Sequence, residues 1–326
     1  MSRYPELGAA FSVIHANLTE LDERQDHLTE CRLAHLDEWV ETALRLAGDD
    51  RDALVQLLDA WQPDRSVPLP SDVPVENREA LLCYRDDLSV TERLCLLRAV
   101  IGRRGESFFA DPMADTFDLS DRAADKIAYV QNSYSDNAYL QFSRTLTHPR
   151  AAYFDSFPDV CEEVYNGICE YGILPILHER DGKLFRFYSL LEKYDLRVVC
   201  ACDVPTVERD GMTVTRYALI RKTLPSQPRG GTPTRAELLL PAEGADRDML
   251  CDLLQAARAC ALTPERIDTR ASEGYGEPGE LIYQVTLSIP NGGRSLPTFL
   301  AFLSLEMPRV TVLGLYPTLS ARHHKP

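Results

Sequence analysis

The sequence has no surplus of positive charge and no apolar run long enough to span a bilayer. Its 326 residues carry 35 Lys and Arg against 50 Asp and Glu, which gives a formal net charge of -15 at pH 7. Nucleic acids and anionic membranes are bound by concentrated positive charge, so this balance argues against both as partners. It does not exclude a small anionic ligand, because one pocket can be positive on an acidic protein.

The cysteines form no CxxC pair, and the chain has no basic-then-apolar signal pattern at its start. Nine cysteines, scattered between Cys31 and Cys260, make an odd count. Cys200 and Cys202 lie two apart on a predicted strand, so both face one side and are expected to pack rather than to bridge. We therefore expect a reduced, cytoplasmic protein.

No spacing in the sequence is typical of a metal or cofactor site. His27, Cys31 and His35 follow one another at four-residue steps on a predicted helix. The first and the last are about 12 Å apart along the helix axis, so the three cannot share one ion. A half-buried polar stripe is the simpler interpretation, and no cofactor is expected.

The first third of the chain predicts helices. Residues 1–105 contain a long helix with an apolar stripe that ends at Gly48, and a later helix over 89–103 that opens with the capping box Ser89-Val-Thr-Glu92. Helix packing or partner binding is the favoured role, with a chorismate-mutase-like site as the alternative. Residues 106–125 are acidic and aperiodic, which predicts a linker.

The remainder predicts two mixed α/β parts. Strands alternate with helices over 126–225, which favours an α/β layer with a largely parallel sheet. A linker at 226–235 precedes a β-α-β-β-α-β unit at 236–318, the ferredoxin-like element order. The tail 319–326 is expected to fray.

A strand-turn-helix corner lies within Lys126–Phe142 and contains no glycine. Such corners hold anions on the free amides of a helix start, and Ser133 and Ser135 supply hydroxyls there. Without glycine the backbone cannot easily approach a carboxylate, so a remnant of a binding corner is favoured over a working one.

These segments together resemble prephenate dehydratase followed by its ACT domain, over about residues 125–318. The family converts prephenate to phenylpyruvate in phenylalanine biosynthesis. The matching motifs, in chain order, are Ser133-Tyr-Ser135, Phe157-Pro-Asp-Val160, Tyr171-Gly-Ile-Leu-Pro-Ile176, Thr215-Arg216-Tyr217, Ile267-Asp-Thr-Arg270 and Val312-Leu-Gly-Leu-Tyr-Pro317.

The resemblance implies a fold and a set of catalytic roles. The fold would be one α/β lobe of the periplasmic-binding-protein-like dehydratase type, with a helical region before it and an ACT-like domain after it. Thr215 would protonate the departing hydroxyl and Arg216 would clamp a carboxylate. The substrate-binding residues that the resemblance implies are Ser133, Ser135 and Arg186. His178 is a further candidate because it stands in the cleft position where the family has Glu-Asn, with an ordinary loop residue as the equal alternative.

The largest departure from the family is a missing second lobe. Only Pro205–Met212 joins two strands between which the family inserts a lobe, and a segment of this length with Arg-Asp-Gly predicts a hairpin. The alternative to a reduced dehydratase is therefore a non-catalytic aromatic amino acid sensor, or a regulatory or interaction protein, built on the same fold.

For the ACT-like part, the resemblance implies an amino acid effector such as phenylalanine. The implied contacts are Met249, Leu250, Asp268, Thr269 and Arg270. The glycine that usually opens the effector helix is absent, so an empty dimerisation module is the alternative. A homodimer through this part and the N-terminal helices is expected, with prephenate and phenylalanine as the candidate ligands.

Overall fold

The computed structural model describes residues 89–105, 117–118, 126–208, 211–225, 230–242, 247–271, 281–290 and 294–319, together with scattered positions between 16 and 48. The chain divides into two units, Met1–Phe108 and Phe109–Pro326. The predicted helices between 50 and 84 and most of the tail after 319 lie outside the described residues. Among the described residues, no helix is both long and apolar enough to cross a membrane.

In the first unit, helix α1 spans Val90–Arg104 and begins with the predicted capping box, which is confirmed. Ser89 N donates to Glu92 Oε2 at 2.8 Å, and Glu92 N donates to Ser89 Oγ at 3.3 Å. Two free amides of the first turn are thereby satisfied. Val40, whose position belongs to the predicted apolar stripe, is fully buried.

The second unit is built around one mixed sheet, and the prediction of a mixed α/β fold is confirmed. Its first strands and helices are β1 (Phe117–Asp118), β2 (Lys126–Val130), α2 (Ser133–Phe142), β3 (Arg150–Phe154), α3 (Phe157–Tyr165), β4 (Tyr171–His178), β5 (Gly182–Lys183) and α4 (Phe185–Lys193). The later ones are β6 (Arg197–Glu208), β7 (Gly211–Arg221), β8 (Leu224–Pro225), β9 (Arg235–Pro241), α5 (Arg247–Ala259), β10 (Thr263–Ala271), β11 (Leu281–Ser288), α6 (Leu296–Glu306), β12 (Thr311–Tyr316) and β13 (Thr318–Leu319).

The strand order is β10-β11-β9-β12-β6-β7-β4-β2-β3, with β5 added to β4 and β13 to β6. Strands β2, β3 and β4 are parallel, whereas β7 runs antiparallel to both β4 and β6. We call residues 126–225 the lobe and residues 235–319 the C-terminal half. Both belong to one sheet, because β12 pairs with β6 at Gly314 and Val198.

The strands β6 and β7 form the long hairpin that the sequence predicts in place of a second lobe. Their register runs from Arg197 opposite Arg221 to Glu208 opposite Gly211. The hairpin is therefore paired to its end, and nothing between Glu208 and Gly211 is long enough to hold a further domain.

The two faces of the sheet have different covers. Helices α3 and α4 lie on one face, where Val160, Leu191 and Ile220 share a buried core with Leu239 and Ile282. We call this the α4 face. Helix α2 contacts β6, β4 and β7 on the opposite face of the lobe. In the C-terminal half, α5 and α6 contact each other on the side away from α4, as crossover connections of one hand require.

Candidate functional site

Thr215 and Arg216, the expected catalytic pair, point to opposite faces of the sheet. They are neighbours on β7, whose pairing with β6 is regular at this point. Successive strand residues alternate between faces, and Ala218 and Ile220 belong to the core on the α4 face. Arg216 therefore lies on the α4 face and Thr215 on the α2 face, so the two side chains cannot act together on one small substrate.

The guanidinium of Arg216 is held by a carboxylate of the same chain. Asp203 lies directly opposite on β6, and Arg216 donates from Nε to Oδ1 at 2.7 Å and from Nη2 to Oδ2 at 2.9 Å. These hydrogen bonds to Asp203 raise the pKa of Arg216 above its ordinary value. A fork of two parallel bonds is the geometry with which arginine binds a carboxylate ligand, and here an internal group occupies it.

Thr215 belongs to a buried group of hydroxyls on the hairpin, which we call the hydroxyl cluster: Thr206, Thr213 and Thr215. Thr206 Oγ1 lies 2.8 Å from Thr213 Oγ1 and 3.4 Å from Thr215 Oγ1. Thr213 Oγ1 lies 3.4 Å from His178 Nε2 on β4. The cluster satisfies its members mutually and extends to one imidazole.

His178 connects the hydroxyl cluster to the surface. Its Nδ1 lies 3.0 Å from Oδ2 of Asp181, whose side chain is 72% exposed. His178 also lies opposite Thr215 in the β4–β7 register. The structure thus brings two expected site residues, His178 and Thr215, to adjacent strands.

The helix start of α2, expected to bind an anion, is capped by the side chain of Asn132. Its Oδ1 accepts from Tyr134 N at 3.0 Å and from Ser135 N at 2.9 Å, and its Nδ2 donates to Ser135 Oγ at 3.0 Å. Ser135 is 1% exposed, whereas Ser133 is exposed. The amides and the hydroxyl expected to hold a carboxylate are therefore bonded internally.

The remaining expected substrate residue lies apart from this region. Arg186 is exposed on the first turn of α4. Since α4 covers the face opposite to Thr215, Arg186 and Thr215 are separated by the sheet. The arginine of β7 that shares a face with Thr215 is Arg221, which lies six residues away and donates from Nε to Glu170 Oε1 at 2.7 Å.

The expected effector residues are also divided between faces. Arg270 lies opposite Ile282, a member of the core on the α4 face, and Asp268 lies opposite Gln284 two residues further along β11. Both therefore point toward α4, whereas Thr269 between them points to the other face. Thr269 is exposed, and Met249 and Leu250 on α5 are half-buried.

Asp268 takes part in a buried charge cluster, which consists of Lys183, Glu237, Asp268 and Thr286. Lys183 Nζ lies 2.7 Å from Thr286 Oγ1, 3.3 Å from Glu237 Oε1 and 3.6 Å from Asp268 Oδ2. The side chains of Lys183 and Glu237 are each 2% exposed. Lys183 belongs to the lobe and its partners to the C-terminal half, so the cluster joins the two.

Tyr188 on α4 completes this arrangement by donating from its hydroxyl to Glu237 Oε1 at 3.0 Å. Burial raises the pKa of Tyr188 well above its ordinary value, and the charge of Glu237 acts in the same direction. The phenol therefore stays protonated and remains a donor. Within the described residues, no group of three or more His, Cys, Asp or Glu has the geometry of a metal site.

Comparison with known proteins finds likeness only among solved structures. No protein-family model matches the chain, and no curated protein sequence matches it. The prephenate dehydratase from Streptococcus mutans is 16% identical, with a TM-score of 0.47 over 59% of this chain and 98% of that one. The Arthrobacter aurescens prephenate dehydratase in complex with L-Phe is 12% identical, with a TM-score of 0.44 over 59% and 89%.

A third solved structure, GqqA, described as a novel type of quorum quenching acylase, is 19% identical. Its TM-score is 0.43, over 62% of this chain and 98% of that one. Because all three TM-scores lie below 0.5, none of these likenesses establishes a shared fold or an activity for the chain.

Sequence reasoning missed the charge cluster, although a signal for it was present. Glu237 interrupts the apolar strand Arg235–Pro241, and Gln284 and Thr286 interrupt Leu281–Ser288. A polar residue within a strand that is otherwise apolar on both faces requires a buried partner. Lys183, which lies two residues after the three-residue turn 179–181, carried no comparable signal.

Proposed function

We propose that the chain is a non-catalytic prephenate dehydratase-like protein of aromatic amino acid metabolism, which binds an aromatic amino acid and does not turn over prephenate. The motifs of the lobe and of the C-terminal half support the ancestry. The observation that carries the loss of catalysis is the bidentate pair between Arg216 and Asp203.

Dehydration of prephenate requires a site that orients two carboxylates and protonates a hydroxyl. The guanidinium of Arg216 already donates hydrogen bonds to Asp203. The amides of Tyr134 and Ser135 at the start of α2 already donate to Asn132. An external carboxylate would have to displace an internal one of equal charge that is held in place by the hairpin. Since the internal group is tethered, its effective concentration is high, and the exchange is unfavourable for a free ligand.

An amino acid ligand is supported by the accessible side of β10. The segment Ile267–Arg270 resembles the family's phenylalanine-binding segment, and Thr269 is exposed on β10. Ile267 is 41% exposed and points to the same face as Thr269. Helix α5, which carries the half-buried Met249 and Leu250, contacts β10. A hydroxyl with apolar side chains on the same strand and on the helix that contacts it suits the polar end and the aromatic ring of phenylalanine. The expected dimer would add a second wall at this edge strand.

Two measurements on the full chain test this function. Prephenate turnover, followed by phenylpyruvate absorbance, is expected to be absent. Thermal unfolding with phenylalanine, tyrosine or tryptophan is expected to shift upward, since a ligand at a hundred times its Kd adds about 2.7 kcal/mol. Thr269→Arg should remove the shift, and Thr263→Arg at the far end of β10 should leave it. Absence of any shift in the wild type excludes the sensor.

Dehydratase activity is the second candidate, favoured by the contact between the hydroxyl cluster and His178. After Thr215 has donated its proton, the chain of hydroxyls that joins it to the imidazole of His178 can supply another proton to it. Turnover that is present in the wild type and abolished in Thr215→Val, but retained in Thr263→Val at an exposed position of β10, would support dehydratase activity instead. Light scattering at several protein concentrations tests the expected homodimer.

A further inference from the structure

We propose that strand β10 transmits amino acid binding to the lobe through two reciprocal buried ion pairs. This inference rests on the proposed amino acid site at Thr269. One face of β10 carries Thr269, and the other carries Asp268 and Arg270, which both reach residues of the lobe. A strand is stiff along its length, so a displacement at Thr269 moves its two neighbours as well.

The first connection runs from the lobe into the C-terminal half. Lys183 on β5 inserts its ammonium among Glu237, Thr286 and Asp268. Asp268 is oriented by Arg266, whose Nε lies 2.8 Å from its Oδ1. Because the side chain of Lys183 is 2% exposed, its charge depends on these groups and on the ring of Tyr188, whose centroid lies 5.3 Å from Nζ.

The second connection runs in the opposite direction. Arg270 on β10 pairs with Glu192 on α4, and their side chains are 9% and 1% exposed. Arg270 Nε also donates to Gln284 Oε1 at 3.2 Å, and its guanidinium lies 6.0 Å from the ring centroid of Phe185 on α4. Each half of the sheet therefore holds a cation of the other half.

The interface is not fully satisfied, which distinguishes it from an inert packing contact. Gln284 Nε2 and Glu237 Oε2 find no hydrogen-bond partner among the residues that the structure describes. Gln284 is 0% exposed and Glu237 is 2% exposed. Buried polar groups without partners are costly, so a small shift of β10 that gives them partners has an energetic reason to occur.

The lobe end of this connection lies close to the hydroxyl cluster. Lys183 follows His178 by five residues, and Leu177 and His178 pair with Lys183 and Gly182 across the β4–β5 turn. Helix α4 begins two residues after Lys183. Displacement of Asp268 and Arg270 thus acts on β5, which pairs with His178, and on α4, which follows β5 in the chain. The readout of amino acid binding is expected in β5 and α4.

Hydrogen exchange of the full chain, read by mass spectrometry, tests the coupling in two arms. In the ligand-free arm, the neutral double variant Arg270→Gln/Glu192→Gln is expected to speed exchange by a similar factor in β10 and α4, with α3 unchanged. The matched control is Arg235→Gln/Glu265→Gln, which removes a more exposed ion pair, 2.8 Å long, between β9 and β10 within the C-terminal half. It should leave α4 unchanged.

In the ligand arm, saturating phenylalanine is expected to slow exchange in α4 by about fivefold or more in the wild type, and not in the double variant. If phenylalanine binds and α4 does not respond, the inference is overturned while the proposed function stands. If no aromatic amino acid binds, the proposed function fails, and the ligand-free arm alone decides whether β10 and α4 are coupled. In that arm, faster hydrogen exchange in only one of these two elements rejects the coupling.

A second double variant tests whether the result of the first reflects a folding defect. Lys183→Met/Glu237→Gln removes the charges of Lys183 and Glu237 from the first connection, leaves Asp268 with Arg266 and keeps similar volumes. It is expected to loosen β5 and β10 together, and far-ultraviolet circular dichroism should remain that of the wild type. If β5 loosens without β10, the first connection carries no coupling.

Discussion

Asp203 and Arg216 lie opposite each other on β6 and β7 and share two hydrogen bonds, of 2.7 and 2.9 Å. Their side chains are 36% and 18% exposed. The pair forms within the long hairpin of β6 and β7, which the sequence predicts from the short segment Pro205–Met212. The short connection of the two strands and the internal pairing of the arginine are therefore features of the same hairpin.

Asp203→Asn should weaken the interaction with Arg216 without producing dehydratase activity. The partly exposed pair is expected to contribute about 0.5–1 kcal/mol, so the free energy of unfolding should fall by that amount in urea titration. Prephenate turnover should stay absent, because Asn132 still caps α2. The control is Asp155→Asn, an exposed aspartate outside the hairpin. Turnover gained in Asp203→Asn would show that the internal carboxylate is an inhibitor of a competent site.

The cap of α2 predicts a contrast between two substitutions of one residue. Asn132→Ala removes the acceptor for Tyr134 N and Ser135 N and should lower the free energy of unfolding by about 1 kcal/mol. Asn132→Asp keeps the acceptor and adds a negative charge at a helix start, so its stability should be close to that of the wild type. Equal losses in both variants would mean that the amide donor to Ser135 matters more than the cap.

The close approach of β12 to β6 predicts that Gly314 tolerates no side chain. A Cβ at Gly314 would lie 2.8 Å from both Val198 Cβ and Val198 O. Gly314→Ala should therefore cost about 1–3 kcal/mol, as overpacking of a core does. The control is Gly102→Ala in α1, where nothing lies within 4 Å of the added carbon and stability should rise slightly. A neutral Gly314→Ala would mean that the two strands separate easily.

Buried thiols and phenols predict a loss of stability at alkaline pH. Burial raises the pKa of Cys161 and of Cys200 to about 12, and raises those of Cys202 and Tyr188 as well. In the unfolded chain the pKa of a thiol is about 8.5 and that of a phenol is about 10. Above pH about 8.5 the unfolded state thus binds fewer protons than the native state, so the free energy of unfolding falls as pH rises.

Urea titrations between pH 7 and 11 measure this slope, and iodoacetamide labelling identifies the groups. Exposed Cys251 should react in the native protein, whereas Cys161, Cys200 and Cys202 should react only after unfolding. Native-state labelling of Cys200 or Cys202 at pH 8 would contradict their burial.

The element types followed from local patterns, and most of them could be predicted. Runs of apolar residues predicted the strands of the lobe, and the shortness of the segment Pro205–Met212 predicted the hairpin. The separation of Thr215 from Arg216 was also within reach, because neighbouring residues of a strand always face opposite ways. The partner of Arg216 was within reach as well, because a two-residue connection between Glu208 and Gly211 sets Asp203 opposite Arg216 in a regular hairpin, and the bulge between Val198 and Cys200 lies beyond that pair.

The proposed domain boundary at 226–235 stays a prediction. The structure adds that strands from both sides of this boundary pair in one sheet. Strand β12 joins the lobe only where glycine at position 314 lets the backbones approach. No local pattern encodes a contact between positions 116 residues apart. The reciprocal ion pairs of Lys183 and Arg270 depend on that joining as well.

The sequence by itself determined the negative net charge, the alternation of strands and helices, the capped start of α1 and the hairpin of β6 and β7, because each follows from composition or from neighbours along the chain. Only the tertiary structure decided which charges meet between the lobe and the C-terminal half: Lys183 with Glu237 and Arg270 with Glu192. The physical reason is that strand register and sheet order are set by packing over the whole core, and a one-residue change of register reverses the face of every side chain.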